Sequence, residues 1–201
     1  NYFSLKDENF FECDQIILTS ASSKTALSLA FLLSKNKLED KKKIIAITSE
    51  KNIKFLSSME FYDTVLSYND IEKNLIASKS IIIDFAGNSD YLKKLSDHLG
   101  DSLKHVCLIG LADWSSKTDF KSIPNSKFFF APDHAERRYK TMGVKKTTLL
   151  ADNLLKEFIL KIKNHIKLKY LNNPKELHEL YLKSLKGKID PSKGYMVQLA
   201  N

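Results

Sequence analysis

One stretch constrains the fold of this chain more than any other: Gln15-Ile16-Ile17-Leu18-Thr19-Ser20-Ala21-Ser22-Ser23-Lys24-Thr25-Ala26-Leu27-Ser28-Leu29-Ala30. It starts as an apolar run rich in isoleucine. It passes through a turn of small and hydroxyl residues, then reopens as an Ala/Leu/Phe helix reaching about Leu33. A short run that is apolar at every position reads as a strand buried on both faces, as in parallel sheets. A strand that ends in small residues and opens directly into a helix leaves unpaired N–H groups and a positive dipole end at the turn.

The alternation recurs along the chain. Strands are predicted at Gln15–Thr19, Lys43–Thr48, Thr64–Leu66, Ser80–Asp84, His105–Ile109 and Lys127–Ala131. Helices are predicted at Ser23–Ser34, Glu50–Met59, Asn69–Ala77 and Ser89–Leu99. Ala112–Asn125 reads as a loop carrying Asp113 and Trp114, and Asp133–Gly143 as a polar segment. A long amphipathic helix is predicted over Thr147–Tyr170, another helix over Pro174–Lys186, and a terminal strand over Tyr195–Leu199. Short apolar strands alternating with helices imply an α/β fold, a doubly wound, Rossmann-like parallel sheet in the order 3-2-1-4-5-6. The 201 residues suit one such domain, with 1–14 as a lead-in and 147–201 as C-terminal helices and strand.

Composition narrows the classes. An apolar content of 43% allows a sizeable core. Cys13 and Cys107 have neither CxxC spacing nor a histidine cluster beside them, so a zinc site is not expected. No apolar run is long enough to span a bilayer, and the expected compartment is a reducing cytoplasm. The net charge of +8 comes almost wholly from scattered lysines, without a basic stripe interleaved with aromatics, so nucleic acid is not an expected partner. The chain begins at Asn1 without a methionine, which leaves an upstream domain open.

The opening turn supports two ligand readings. As a dinucleotide loop, Ser20, Ser23 and Ala26 take the spacing G-x-x-G-x-x-G/A, with Ser22, Ser23, Lys24 and Thr25 at the helix entry. As a P-loop, Ser23-Lys24-Thr25 imitates G-K-[ST], but the required glycine positions hold Leu18 and Ser23. The dinucleotide reading is preferred; a βα turn without a ligand is the bland alternative. At the end of the second strand, Ser49 and Lys51 suit a 2′-phosphate, pointing to NADP rather than NAD, with Glu50 as a first-turn helix acid. Gly87, Asn88 and Gly110 follow central strands, where open sheets bind ligands, although Asn88 could equally cap a helix. Asp84 could cap the turn through Asn88 or Ser89, and Arg137 with Arg138 could clamp an anion.

Thr19-Ser20-Ala21-Ser22-Ser23-Lys24-Thr25-Ala26, Thr48-Ser49, Tyr62-Asp63, Asp84-Phe85-Ala86-Gly87-Asn88 and Phe128-Phe129-Phe130-Ala131-Pro132 resemble an uncharacterised bacterial family of unknown function. That family is similar to the quinone-oxidoreductase-like medium-chain dehydrogenases/reductases. The resemblance implies a nucleotide-binding Rossmann domain whose GroES-like catalytic partner domain is absent or lies upstream of Asn1. It implies that Ser49 and Lys51 hold the adenosine 2′-phosphate, that Tyr68 lies near the adenine ribose, and that Gly110 lies beside the nicotinamide. The expected function is NADP(H) binding for a zinc-independent oxidoreductase acting on a small carbonyl compound or quinone, with no metal and with homodimerisation left open. The rival expectations are a cofactor-free scaffold domain and a P-loop-like nucleotide hydrolase. Without a partner domain, the terminal strand is expected to dock on the sheet edge or hang exposed.

Overall fold

A computed structural model describes residues 1–110 and 123–198. The parallel sheet has six strands: β1 (Gln15–Leu18), β2 (Lys43–Thr48), β3 (Thr64–Ser67), β4 (Ser80–Asp84), β5 (Leu103–Leu108) and β6 (Ser126–Phe128). Their order is β3-β2-β1-β4-β5-β6, every pair parallel. This is the expected doubly wound, Rossmann-like arrangement.

Strand periodicity builds the two layers. Successive side chains on a strand point to opposite faces. Ile16, Leu18, Ile44, Ala46, Ile81 and Ile83 join one apolar cluster with α2 (Lys24–Lys35), through Leu27, Ala30, Phe31 and Leu33. Ile17, Ile45, Ile47, Ile82 and Val106 join the other, with α5 (Ile71–Asn74) and with Leu92, Leu95 and Leu99 of α6 (Ser89–Leu99). Each fully buried Ile or Leu contributes about 1.5–3 kcal/mol. The crossover after β2 carries α4 (Ile53–Ser57), and a short α3 (Lys37–Asp40) follows α2.

The N-terminal α1 (Tyr2–Asp7) buries Tyr2 and Leu5. Behind it, Asn9, Phe10, Phe11 and Glu12 all have φ between 47° and 55°. Left-handed backbone costs an L-residue about 1–2 kcal/mol. Burial of Phe10 and a stack of Phe11 on His105, with ring centroids 4.0 Å apart, oppose that cost.

Several elements after β5 differ from the sequence expectation. The sixth strand ends at Phe128, and Pro132 stands in the first turn of α7 (Ala131–Met142). Proline presets helical φ at a helix start, so it opens a helix here. Helix α8 (Val144–Ile162) is shorter than expected, and Lys167–Leu171 forms β7. Ile166, Leu168 and Tyr170 alternate with Lys167 and Lys169, a strand period. The terminal strand β8 (Lys193–Val197) follows α9 (Pro174–Leu185) and pairs with β7 in a separate parallel sheet, not with the six-stranded one. No helix among the described residues is long and apolar enough to cross a membrane.

Candidate functional site

β1 and β4 are neighbours, yet the helices that follow them pack on opposite faces. The chain therefore parts at their carboxyl ends and opens a crevice. Buried polar side chains gather where the strands end: Thr19, Thr48, Ser67 and Asp84. The Thr19 hydroxyl donates to the Asp84 carboxylate. It also accepts the Phe85 N–H at 3.2 Å. Asp84 further accepts the N–H groups of Ala86 at 3.2 Å and Gly87 at 2.8 Å. Burial pushes its carboxyl above the usual range, against the pull of these donors. Asp84 thus fixes the turn by gripping Ala86 and Gly87, not Asn88 or Ser89. Gly87 takes φ 72°, and Asn88 caps α6 by accepting from Asp90 and Tyr91, both at 3.1 Å. A Cβ on Gly110 would lie 2.1 Å from the Phe85 carbonyl oxygen, so only glycine lets the end of β5 pass this turn.

The loop after β1 is held from both sides. Ser20 has φ 44°, and its N–H donates to the Tyr68 hydroxyl at 2.8 Å. The Ala21 N–H donates to the Ile47 carbonyl at 3.1 Å, and the Ala21 carbonyl accepts from the Tyr62 hydroxyl at 2.9 Å. Tyr68 stacks on Tyr91 with centroids 4.5 Å apart, and burial pushes its phenol up to about 12. Ser23 caps α2 by accepting the Ala26 N–H at 3.2 Å. The next N–H groups, those of Lys24 and Thr25, stand in the first turn, where a helix offers no carbonyl and its dipole is positive.

Beside them lies a hydroxyl cluster. The Asn52 amide donates to Ser22 Oγ at 3.1 Å and to Ser49 Oγ at 3.0 Å. Thr48 lies 3.4 Å from the same Ser22 oxygen. Ser22 and Ser49, from different strands' loops, are thereby brought together. Glu50 is exposed and begins a 3₁₀ turn, a first-turn acid as expected. The two cations point elsewhere. Lys24 Nζ donates to the carbonyls of Pro191 at 2.6 Å and Lys193 at 3.0 Å, and Lys51 Nζ lies 3.5 Å from the Gly187 carbonyl. Burial lowers the Lys24 pKa, and nearby Asp190 opposes that effect.

Arg138 is not an anion clamp at this edge. It donates to both Asp7 oxygens at 2.6 Å and to the Phe3 carbonyl at 3.2 Å, tying α7 to α1. Asp113 and Trp114 lie outside the described residues. Sequence reasoning assigned no part to Thr19, Asn52 and Tyr91. The available signal for Thr19 and Asp84 is that each polar residue closes an otherwise apolar strand run. Among the described residues, no three His, Cys, Asp or Glu side chains gather around a metal-sized space.

The sequence profile of a family described as "Protein of unknown function (DUF2855)" matches residues 1–190. No curated protein sequence matches. Among solved structures, the yhdH oxidoreductase from Salmonella enterica in complex with NADP is similar, with a TM-score of 0.63 and 14% identity, covering 98% of this chain and 58% of that one. CurA from Vibrio vulnificus in complex with NADPH gives a TM-score of 0.58 and 14% identity over 100% of this chain and 63% of that one. YhdH from E. coli K-12 with bound NADPH gives 0.59 and 16% identity, over 97% of this chain and 58% of that one. The chain thus spans about three-fifths of the length of these structures, and at such identities the likeness shows the fold.

Proposed function

We propose that this chain, which belongs to the DUF2855 family of proteins of unknown function, binds NADP(H) at the carboxyl edge of its sheet and serves as the cofactor domain of an oxidoreductase. One observation carries the reading. The capped start of α2, with the Lys24 and Thr25 N–H groups, stands next to the Ser22, Ser49 and Asn52 cluster. Such a helix start suits a pyrophosphate. Hydroxyls beside it suit a 2′-phosphate, and the Lys51 ammonium, held at the Gly187 carbonyl, is the cation that would join them. Glu50 is exposed at the start of its own turn, where solvent and salt screen its charge from a 2′-phosphate.

In this reading Ser20, Ser22, Ser23, Lys24 and Thr25 line the pyrophosphate, and Ser49 and Lys51 hold the 2′-phosphate. Tyr68 borders the adenine ribose, and Gly87, Asn88 and Gly110 border the nicotinamide end. The cofactor would supply hydride exchange with a small carbonyl compound or quinone. This chain's residues would bind and orient it, with no zinc ion taking part. The NADP and NADPH complexes of the fold neighbours support this choice of ligand.

A second reading, a scaffold without cofactor, is favoured by the Ser20 and Ala21 N–H groups. Both already have protein acceptors, Tyr68 Oη and the Ile47 carbonyl. A fluorescence titration with NADPH and NADH decides between the two. The expected result is saturable NADPH binding, weaker binding of NADH, and loss of that preference by roughly tenfold in Lys51→Ala, since a tenfold change corresponds to about 1.4 kcal/mol. No binding at millimolar NADPH, by this chain and by Asp190→Ala alike, favours the scaffold reading.

A further inference from the structure

Lys24 and Lys51, the two lysines assigned to the cofactor phosphates, are already occupied, and by one segment. Lys24 Nζ donates to the Pro191 and Lys193 carbonyls at 2.6 and 3.0 Å, and Lys51 Nζ reaches the Gly187 carbonyl at 3.5 Å. Residues 189–195 are half-buried rather than fully exposed. The segment is shaped from within. Asp190 accepts from the Ser192 N–H at 3.0 Å and hydroxyl at 2.6 Å, and pairs with Lys193 Nζ at 3.0 Å. Its two ends are anchored differently. At one end Gly187 takes φ 60° just beyond α9, with open space around it. At the other, the Lys167 N–H donates to the Ser192 carbonyl at 2.8 Å, and β8 pairs with β7.

We propose that residues 187–193 form a strap that occupies the phosphate-binding lysines, and that NADP(H) binds when Lys24 and Lys51 exchange these carbonyls for cofactor phosphates. This inference rests on the functional reading above. The exchange is favourable in kind, because a hydrogen bond from an ammonium to a phosphate has charge on both partners, whereas a carbonyl is a neutral acceptor. The strap nevertheless lowers apparent affinity, multiplying the intrinsic affinity by the fraction of molecules in which it is lifted. Asp190 belongs to the strap, but its charge also acts on Lys24, so the exchange of 187–193 in the parent, and not affinity alone, identifies the strap.

The test combines amide hydrogen exchange on the intact chain, with and without NADPH, and NADPH titration of Asp190→Ala. The expected result is that NADPH raises exchange in 187–193 by roughly tenfold, and that Asp190→Ala binds NADPH about tenfold more tightly than the parent, as expected when a minor binding-competent state becomes dominant. Binding by Asp190→Ala alone, with none by the parent, also supports the strap. Binding by the parent with unchanged or increased protection of 187–193 overturns the strap and leaves the cofactor reading standing. Binding by neither protein overturns both. The exchange measurement on the parent stands even if Asp190→Ala does not fold.

Discussion

At the residue scale the crevice is governed by a few polar groups that close buried strands. Tyr68 is the most informative. Its hydroxyl is the acceptor for the Ser20 N–H, and its ring rests on Tyr91. Burial disfavours its phenolate and raises its pKa from 10.0 to about 12. The folded-state pKa lies above the unfolded one. The associated stability is therefore complete below pH 10 and is lost as pH rises towards 12. Urea unfolding across that window should show Tyr68→Phe flattening part of the alkaline loss, to which burial of Tyr2, Tyr62, Cys13 and Cys107 also contributes. At neutral pH the same variant should cost about 1–3 kcal/mol, because the Ser20 N–H loses its partner. An unchanged alkaline slope would contradict this assignment. Residues of this kind were only partly legible. Ser23 and Asn88 announce themselves as caps by type and position. The grip of Thr19 on Asp84 joins residues far apart in sequence, and it appears only once β1 and β4 are known to be neighbours.

At the element scale α2 is the central piece, since it both fills one core layer and offers its start to the crevice. Its cap serves both ends of that role. Ser23→Ala removes the acceptor for the Ala26 N–H and should cost ~1 kcal/mol. In a chain of this size that corresponds to a melting temperature lower by about 2–4 °C. A calorimetric scan that finds no change would mean that the cap bond contributes nothing. The strands and helices built on apolar periodicity were legible from sequence, because burial on both faces leaves a continuous hydrophobic run. The elements after β6 were less so. α7 buries no residue, so no apolar stripe marks it, and Pro132 can be read as an end or as a start. β7 alternates lysine with Leu168 and Tyr170, and its short period is hidden by the amphipathic helix that precedes it.

At the scale of the molecule, the six-stranded sheet places every loop of the crevice on one edge, and the segment after α9 lies against that edge through Lys24 and Lys51. That last contact could not be read from sequence, since it joins residues separated by 136 and 169 positions through main-chain carbonyls. The central claim is that the carboxyl edge binds NADP(H). Its most direct test is an amide NMR titration of the ¹⁵N-labelled chain with NADPH. Saturable shifts centred on Ser22, Lys24, Thr25, Ser49, Lys51 and Gly87 are expected. An absence of shifts at millimolar NADPH in both this chain and Asp190→Ala, or shifts confined to another surface such as the groove lined by Phe31, Met59 and His165, would contradict it.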